Sequence, residues 1–118
     1  MAFREPKRPA EHPKDEVVLA AELQEFGGYW NLNEKTAKIF KVDLAKLTSS
    51  KPSEAKDDKV WATVLVIAYL RAYMASKRDE WEMLTEKAID WLKNDQGCSD
   101  VEALIQKAER ELEKLIKK

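Results

Sequence analysis

What this 118-residue chain has little of narrows its chemistry first. It holds one cysteine, Cys98, so no disulfide can form within it, and that count suits a reducing compartment such as the cytoplasm. Its one histidine, His12, stands among prolines near the start. No histidine is therefore left in the rest of the chain to act as a general base, a nucleophile's partner or a metal ligand. Glycine and proline are scarce, at 3 and 4 copies, and three of the prolines lie within the first thirteen residues. Little is left to break regular structure beyond them. Neither sign of charge dominates: 21 basic side chains face 22 acidic ones, which argues against a nucleic-acid or anionic-membrane partner. Long apolar runs are missing as well. The longest uncharged stretch, V-W-A-T-V-L-V-I-A-Y-L at 60–70, falls well short of the ~20 residues that span a bilayer. The start, M-A-F-R-E-P-K-R-P, has no apolar segment of the secretory kind.

What is present favours helix. Alanine, leucine, lysine and glutamate dominate, and they are strong helix formers. A hydrophobic fraction of 44% beside a charged fraction of 36% is that of one globular domain with one core. The expected fold class is all-α, a compact bundle of about five helices. Residues 1–14, with Pro6, Pro9 and Pro13, read as a tail or linker, and 15–118 as a single domain. The first helix is expected from Asp15 through Phe26, with Val18 or Leu19, Leu23 and Phe26 inward and Gly27 as a left-handed C-cap. Asn33 should cap a second helix to Phe40, with Leu32 packing on Ala37. A short helical turn comes next, capped by Asp43, with Leu44 and Leu47 inward. The polar stretch T-S-S-K-P-S-E-A-K-D-D reads as a loop. The central helix, at about 57–75, is apolar nearly all round and should be covered on several sides. A fourth helix is expected over 79–94, with Trp81, Leu84, Ala88, Trp91 and Leu92 as its stripe and Gly97 past its end. The S-D-V-E of Ser99 to Glu102 reads as a capping box for a fifth, which keeps Val101, Leu104, Ile105, Ala108, Leu112, Leu115 and Ile116 on one face.

Catalytic patterns are missing. There is no C-x-x-C, G-x-x-x-x-G-K, H-E-x-x-H or G-x-S-x-G. Cys98 lies between helices without a histidine and reads as a bystander. The acids Asp57/Asp58, Asp79/Glu80/Glu82 and Asp95/Asp100 fall in loops or first turns and read as solvated caps. Lys107, Arg110, Lys114 and Lys117 line one side of the last helix, but Glu109, Glu111 and Glu113 beside them cancel most of the field. No catalytic residue, cofactor site or metal site is assigned. The four tryptophans, Trp30, Trp61, Trp81 and Trp91, are expected in the core with their indole N–H groups satisfied at its edge. In L-Q-E-F-G-G-Y-W-N-L, Phe26 and Trp30 should turn inward around a glycine corner, leaving Tyr29 without an inward assignment. Tyr29 and Tyr73, with the cations Arg71, Lys77 and Arg78, form the candidate partner-binding set: aromatic contacts with a charged rim.

Three motifs in this order carry a resemblance. L-Q-E-F-G-G-Y-W-N-L-N-E precedes V-W-A-T-V-L-V-I-A-Y-L, and D-E-W-E-M-L-T-E-K-A-I-D-W-L comes after it. The series resembles the helical C-terminal region of the von Willebrand factor A domain-containing protein 5 group. It is similar, more distantly, to the C-terminal region of vault poly(ADP-ribose) polymerase. The likeness covers roughly 18–92 and departs at Gly27, where the family more often has a polar residue. It implies an interaction role and no transferase activity, since the polymerase's catalytic residues lie in a domain this chain lacks. By that resemblance the partner would be the major vault protein, onto which the polymerase's C-terminal region docks. The alternative is a structural or self-associating C-terminal domain of a larger von Willebrand A-type protein, as a monomer or weak homodimer joined through the last helix.

Overall fold

The computed structural model describes residues 16–53, 55, 57–97 and 100–116, with the side chain of Glu16 left aside. The expected tail at 1–14, with His12, lies outside these residues, as do Cys98 and Ser99. Six α-helices account for most of the described chain: α1 Glu16–Leu23, α2 Glu34–Phe40, α3 Leu44–Ser49, α4 Asp58–Tyr73, α5 Arg78–Asn94 and α6 Val101–Ile116. A 3-10 turn, Ala75–Lys77, leads into α5. The described residues contain no strand, so the fold is all-α. None of their helices is long and apolar enough to cross a membrane.

The uncharged run builds the centre. Every residue from Val60 to Leu70 in α4 is buried, because α6, α5 and α2 pack around it. A helix that is apolar on all sides has this one stable use in water. Asp57 caps it by accepting the Val60 N–H at 3.0 Å. Helix α6 lies along α4 and buries Val101, Leu104, Ile105, Ala108 and Leu112, the stripe its spacing predicts. Arg71, near the end of α4, pins the start of α6 with a forked ion pair to Glu102, 2.8 and 3.2 Å long.

Tryptophan indoles lock the loops onto this core, since a buried N–H without an acceptor would be costly. Trp30 Nε1 donates to the Ala20 carbonyl at 2.8 Å, Trp61 Nε1 to that of Leu47 at 3.0 Å, and Trp81 Nε1 to that of Met74 at 2.7 Å. The Trp30 amide donates to Thr63 Oγ1 at 3.1 Å, while that hydroxyl donates to the Lys59 carbonyl at 2.7 Å. This is how a threonine sits fully buried in the apolar stretch of α4.

Four expectations need correction. Helix α1 ends at Leu23, three residues before Phe26, because the Glu25 amide leaves the helical ladder for the Tyr29 carbonyl. Of the expected inward residues Leu19 and Leu23 do pack half-buried on the core, beside Val17 and Ala20, whereas Val18 is exposed. The left-handed backbone falls on Gly28, with φ 108°, and not on Gly27. Helix α6 is capped by Asp100, whose side chain accepts the Ala103 N–H at 3.1 Å. Glu102, expected to reach back within a capping box, turns to Arg71 instead. The short helical turn after Asp43 is α3, with Leu47 buried and Leu44 half-buried as expected, but the Asp43 side chain makes no cap, and its carbonyl takes the Lys46 and Leu47 amides. The Asn33 cap is as expected, with Thr36 N–H donating at 3.0 Å.

Candidate interaction surface

The corner between α1 and α2 is a built structure. Glu25 N–H donates to the Tyr29 carbonyl at 2.8 Å, and Gly28 N–H returns to the Glu25 carbonyl at 2.9 Å. The two bonds close a three-residue loop of Phe26, Gly27 and Gly28, the pattern in which a tight turn is followed by a left-handed glycine. Gln24 ties the loop down: its amide nitrogen donates to the Gly28 carbonyl at 2.9 Å and to the Leu84 carbonyl of α5 at 3.0 Å. The approach is close enough that a Cβ on Gly28 would stand 2.9 Å from the Lys87 carbonyl oxygen.

This loop divides its three aromatics. Trp30 is fully buried, as expected. Tyr29, half-buried, stacks on Trp91 with ring centroids 4.8 Å apart, and Lys59 Nζ lies 5.0 Å from its ring centre. Phe26 does the opposite of what its spacing predicts. It occupies the loop tip, 97% exposed, with Lys87 Nζ 5.5 Å from its ring centre. Nearby on α5, Met83 is 81% exposed. It stands one helical turn before Lys87, so the two share a face. Leaving Phe26 and Met83 in water forgoes roughly 1.5–3 kcal/mol of burial each, and scattered singly they would need no explanation. Phe26 sits on a hydrogen-bonded loop and Met83 on a helix, and Lys87 neighbours both.

The expected partner-binding residues fall in separate places. Arg71 and Arg78 border one open groove of about 440 Å³ over α5, along with Trp81 and Glu86. Both already hold carboxylates: Arg71 that of Glu102, and Arg78 that of Glu82 at 3.2 Å. The Arg71 guanidinium, by hydrogen bond and by charge, holds the Glu102 carboxyl below the usual carboxylate range against a smaller opposing effect of burial. Tyr73, 36% exposed and tilted against Tyr69, borders a second groove with Arg110 and Glu113 of α6. Lys77 ends the 3-10 turn and is half-buried. Tyr29 belongs to the corner. The set is thus brought together only at Arg71 and Arg78.

Sequence reasoning did not place Phe26 and Met83 at the surface. For Met83 a signal exists: it falls off the stripe of Trp81, Leu84, Ala88 and Trp91, among acidic residues. For Phe26 the glycine pair directly after it is compatible with a loop tip, yet helical spacing from Leu23 points inward with equal force.

Among the described residues no cluster of three or more histidine, cysteine, aspartate or glutamate side chains could hold a metal ion. None of the described carboxylates is buried. Fold and surface together define a class: a small helical domain with exposed apolar and charged patches. Comparison with known proteins is more particular. The chain is 34% identical over 92 residues to mouse (Mus musculus) von Willebrand factor A domain-containing protein 5A, a match covering 78% of this chain and 12% of the relative. The human (Homo sapiens) protein of that name is 35% identical over 76 residues, 64% of this chain and 10% of its own. A von Willebrand factor A domain-containing protein of Dictyostelium discoideum is 28% identical over 79 residues, 67% of this chain and 9% of its own. These are homologues over part of the chain, which spans about a tenth of the length of each relative. No protein-family model and no solved structure matches it.

Proposed function

We propose that this chain is a non-enzymatic protein–protein interaction domain of the kind carried by larger von Willebrand A-type proteins, and that its partner is the major vault protein. The observation that carries the interaction reading is Phe26, held 97% exposed at the tip of a loop fixed by backbone and side-chain hydrogen bonds. A rigid, solvated aromatic is what a binding hot spot requires before the partner arrives. The likeness to a segment that makes up 12% of the mouse protein supports a modular role. The vault partner is supported by the corner and the two tryptophan-bearing helices, which resemble the vault polymerase's C-terminal region. The non-enzymatic reading is supported by the solvated state of the described carboxylates, since acid–base catalysis draws on groups in perturbing environments. Residence in the cytoplasm accompanies this reading.

The test is co-sedimentation of the full chain with purified vaults, or capture by the isolated major vault protein. Retention at low micromolar concentration is the expected result, and absence of binding at ~10–50 μM, where a specific dock would be occupied, sinks the vault partner. The self-association alternative has less surface to use. The expected seam, α6, already buries its apolar stripe against α4.

A further inference from the structure

Helix α5 turns one face to solvent beside the Phe26 loop. At 100° per residue, the outer face of this helix is centred on Met83. Asp79, Glu80, Glu86 and Asp90 surround it, all exposed, and none has an ion-pair partner among the described residues. Lys87 is the single cation on the face, and its ammonium leans over the Phe26 ring. The whole chain is nearly neutral, at net charge -1, so four carboxylates against one ammonium is a local concentration. Phe26 and Met83 are the two most exposed large apolar side chains described, and Lys87, one turn after Met83 on α5, reaches the Phe26 ring.

We infer that this face, Phe26 and Met83 inside the acidic outer face of α5, is a docking surface for a basic amphipathic segment of a partner protein. The inference rests on the interaction role proposed for the chain and adds the chemistry of the occupant. Two apolar side chains of the segment cover Phe26 and Met83, and its lysines or arginines meet the carboxylates of α5. A purely cationic ligand would leave the anchors in water. A purely apolar one would bury the carboxylates unpaired. A second copy of this chain would present its own carboxylates to these, so like charges oppose self-pairing of the face.

The experiment uses the full chain and two synthetic 18-residue amphipathic helices of equal apolar content, one Leu/Lys and one Leu/Glu, with amide shifts and titration calorimetry as readouts. The expected result is binding of the Leu/Lys peptide alone, with shifts centred on Phe26, Met83 and Lys87. Affinity should fall at least tenfold in Phe26→Ser and in Met83→Ser, and the double reversal Glu80→Lys, Asp90→Lys should move the preference to the Leu/Glu peptide. All four positions are exposed, so these variants should keep the parent's thermal transition, which circular dichroism checks. Equal binding of both peptides, shifts elsewhere, or affinity indifferent to these substitutions would overturn the proposal. So would a homodimer that Phe26→Ser dissolves, because the occupant would then be a second copy. Vault binding separates the two readings: capture that survives both serine variants sinks this surface and leaves the interaction domain standing. Peptide binding at the face without vault capture sinks the vault partner alone.

Discussion

At the scale of single residues, the adjacent glycines have different tasks. Gly28 takes a backbone angle that side chains avoid, and a Cβ there meets the Lys87 carbonyl at 2.9 Å, which is backbone and cannot swing aside. Gly27 has ordinary backbone, and its Cβ would stand 3.2 Å from the edge of the Tyr29 ring. Gly28→Ala is therefore expected to cost about 1–3 kcal/mol through strain and collision. Gly27→Ala should stay within about 1 kcal/mol of the parent, since the reduced freedom of the unfolded chain offsets a slight shift of the ring. Urea unfolding of the two variants side by side checks this, and a Gly27 variant as unstable as the Gly28 one would contradict the account. Trp30 was legible in the sequence because a large apolar side chain after a turn has a core to enter. Phe26 was not, because its direction depends on where α1 stops. It stops where the Glu25 amide turns to Tyr29, in a loop that Gln24 holds to Leu84, sixty positions away in sequence.

At the scale of elements, the helices themselves were readable. The apolar run of α4, the stripes of α5 and α6 and the Asn33 and Asp57 caps are local signals that the packed structure uses unchanged. Ends set by long-range bonds were not. Glu102 has capping-box spacing, yet it joins α6 to α4, because a guanidinium presenting two N–H groups outcompetes one backbone amide. That clamp has a pH signature. The Glu102 carboxyl is held below its ordinary value, chiefly by the hydrogen bond from Arg71, so the folded state favours the charged form. Its contribution is complete above the ordinary carboxylate range and is lost as pH falls through the lowered folded value. Both side chains are largely solvated, so the pair is worth about 0.5 kcal/mol, the scale of exposed pairs. Glu102→Gln should lower stability by that amount at pH 7, and the difference should shrink at an acidic pH below the ordinary carboxylate range. Denaturant midpoints at the two pH values measure the difference, and a gap that persists in acid would show that the side chain acts by packing and not by charge.

At the scale of the molecule, the exposed apolar surface sets what the chain can do alone. Its described core encloses α4 on several sides, and α6 has its stripe covered. Among the described residues, what remains outside is chiefly Phe26 and Met83, with parts of Val18 and Tyr73. One exposed phenylalanine offers roughly 200 Å², and a stable homodimer buries over ~1,000 Å² in total. The two principal anchors lie among carboxylates that repel their own copies, so the missing area cannot be made up by pressing like faces together. The chain by itself should sediment as a 13.6 kDa monomer at concentrations up to ~100 μM, where a weak dimer of that small area would stay dissociated. Raising the salt concentration screens the carboxylates and should leave this unchanged, because the apolar area stays too small. A dimer at low micromolar concentration would mean that a larger apolar face forms in solution than the described residues present, and the search for a partner would then begin with this chain itself.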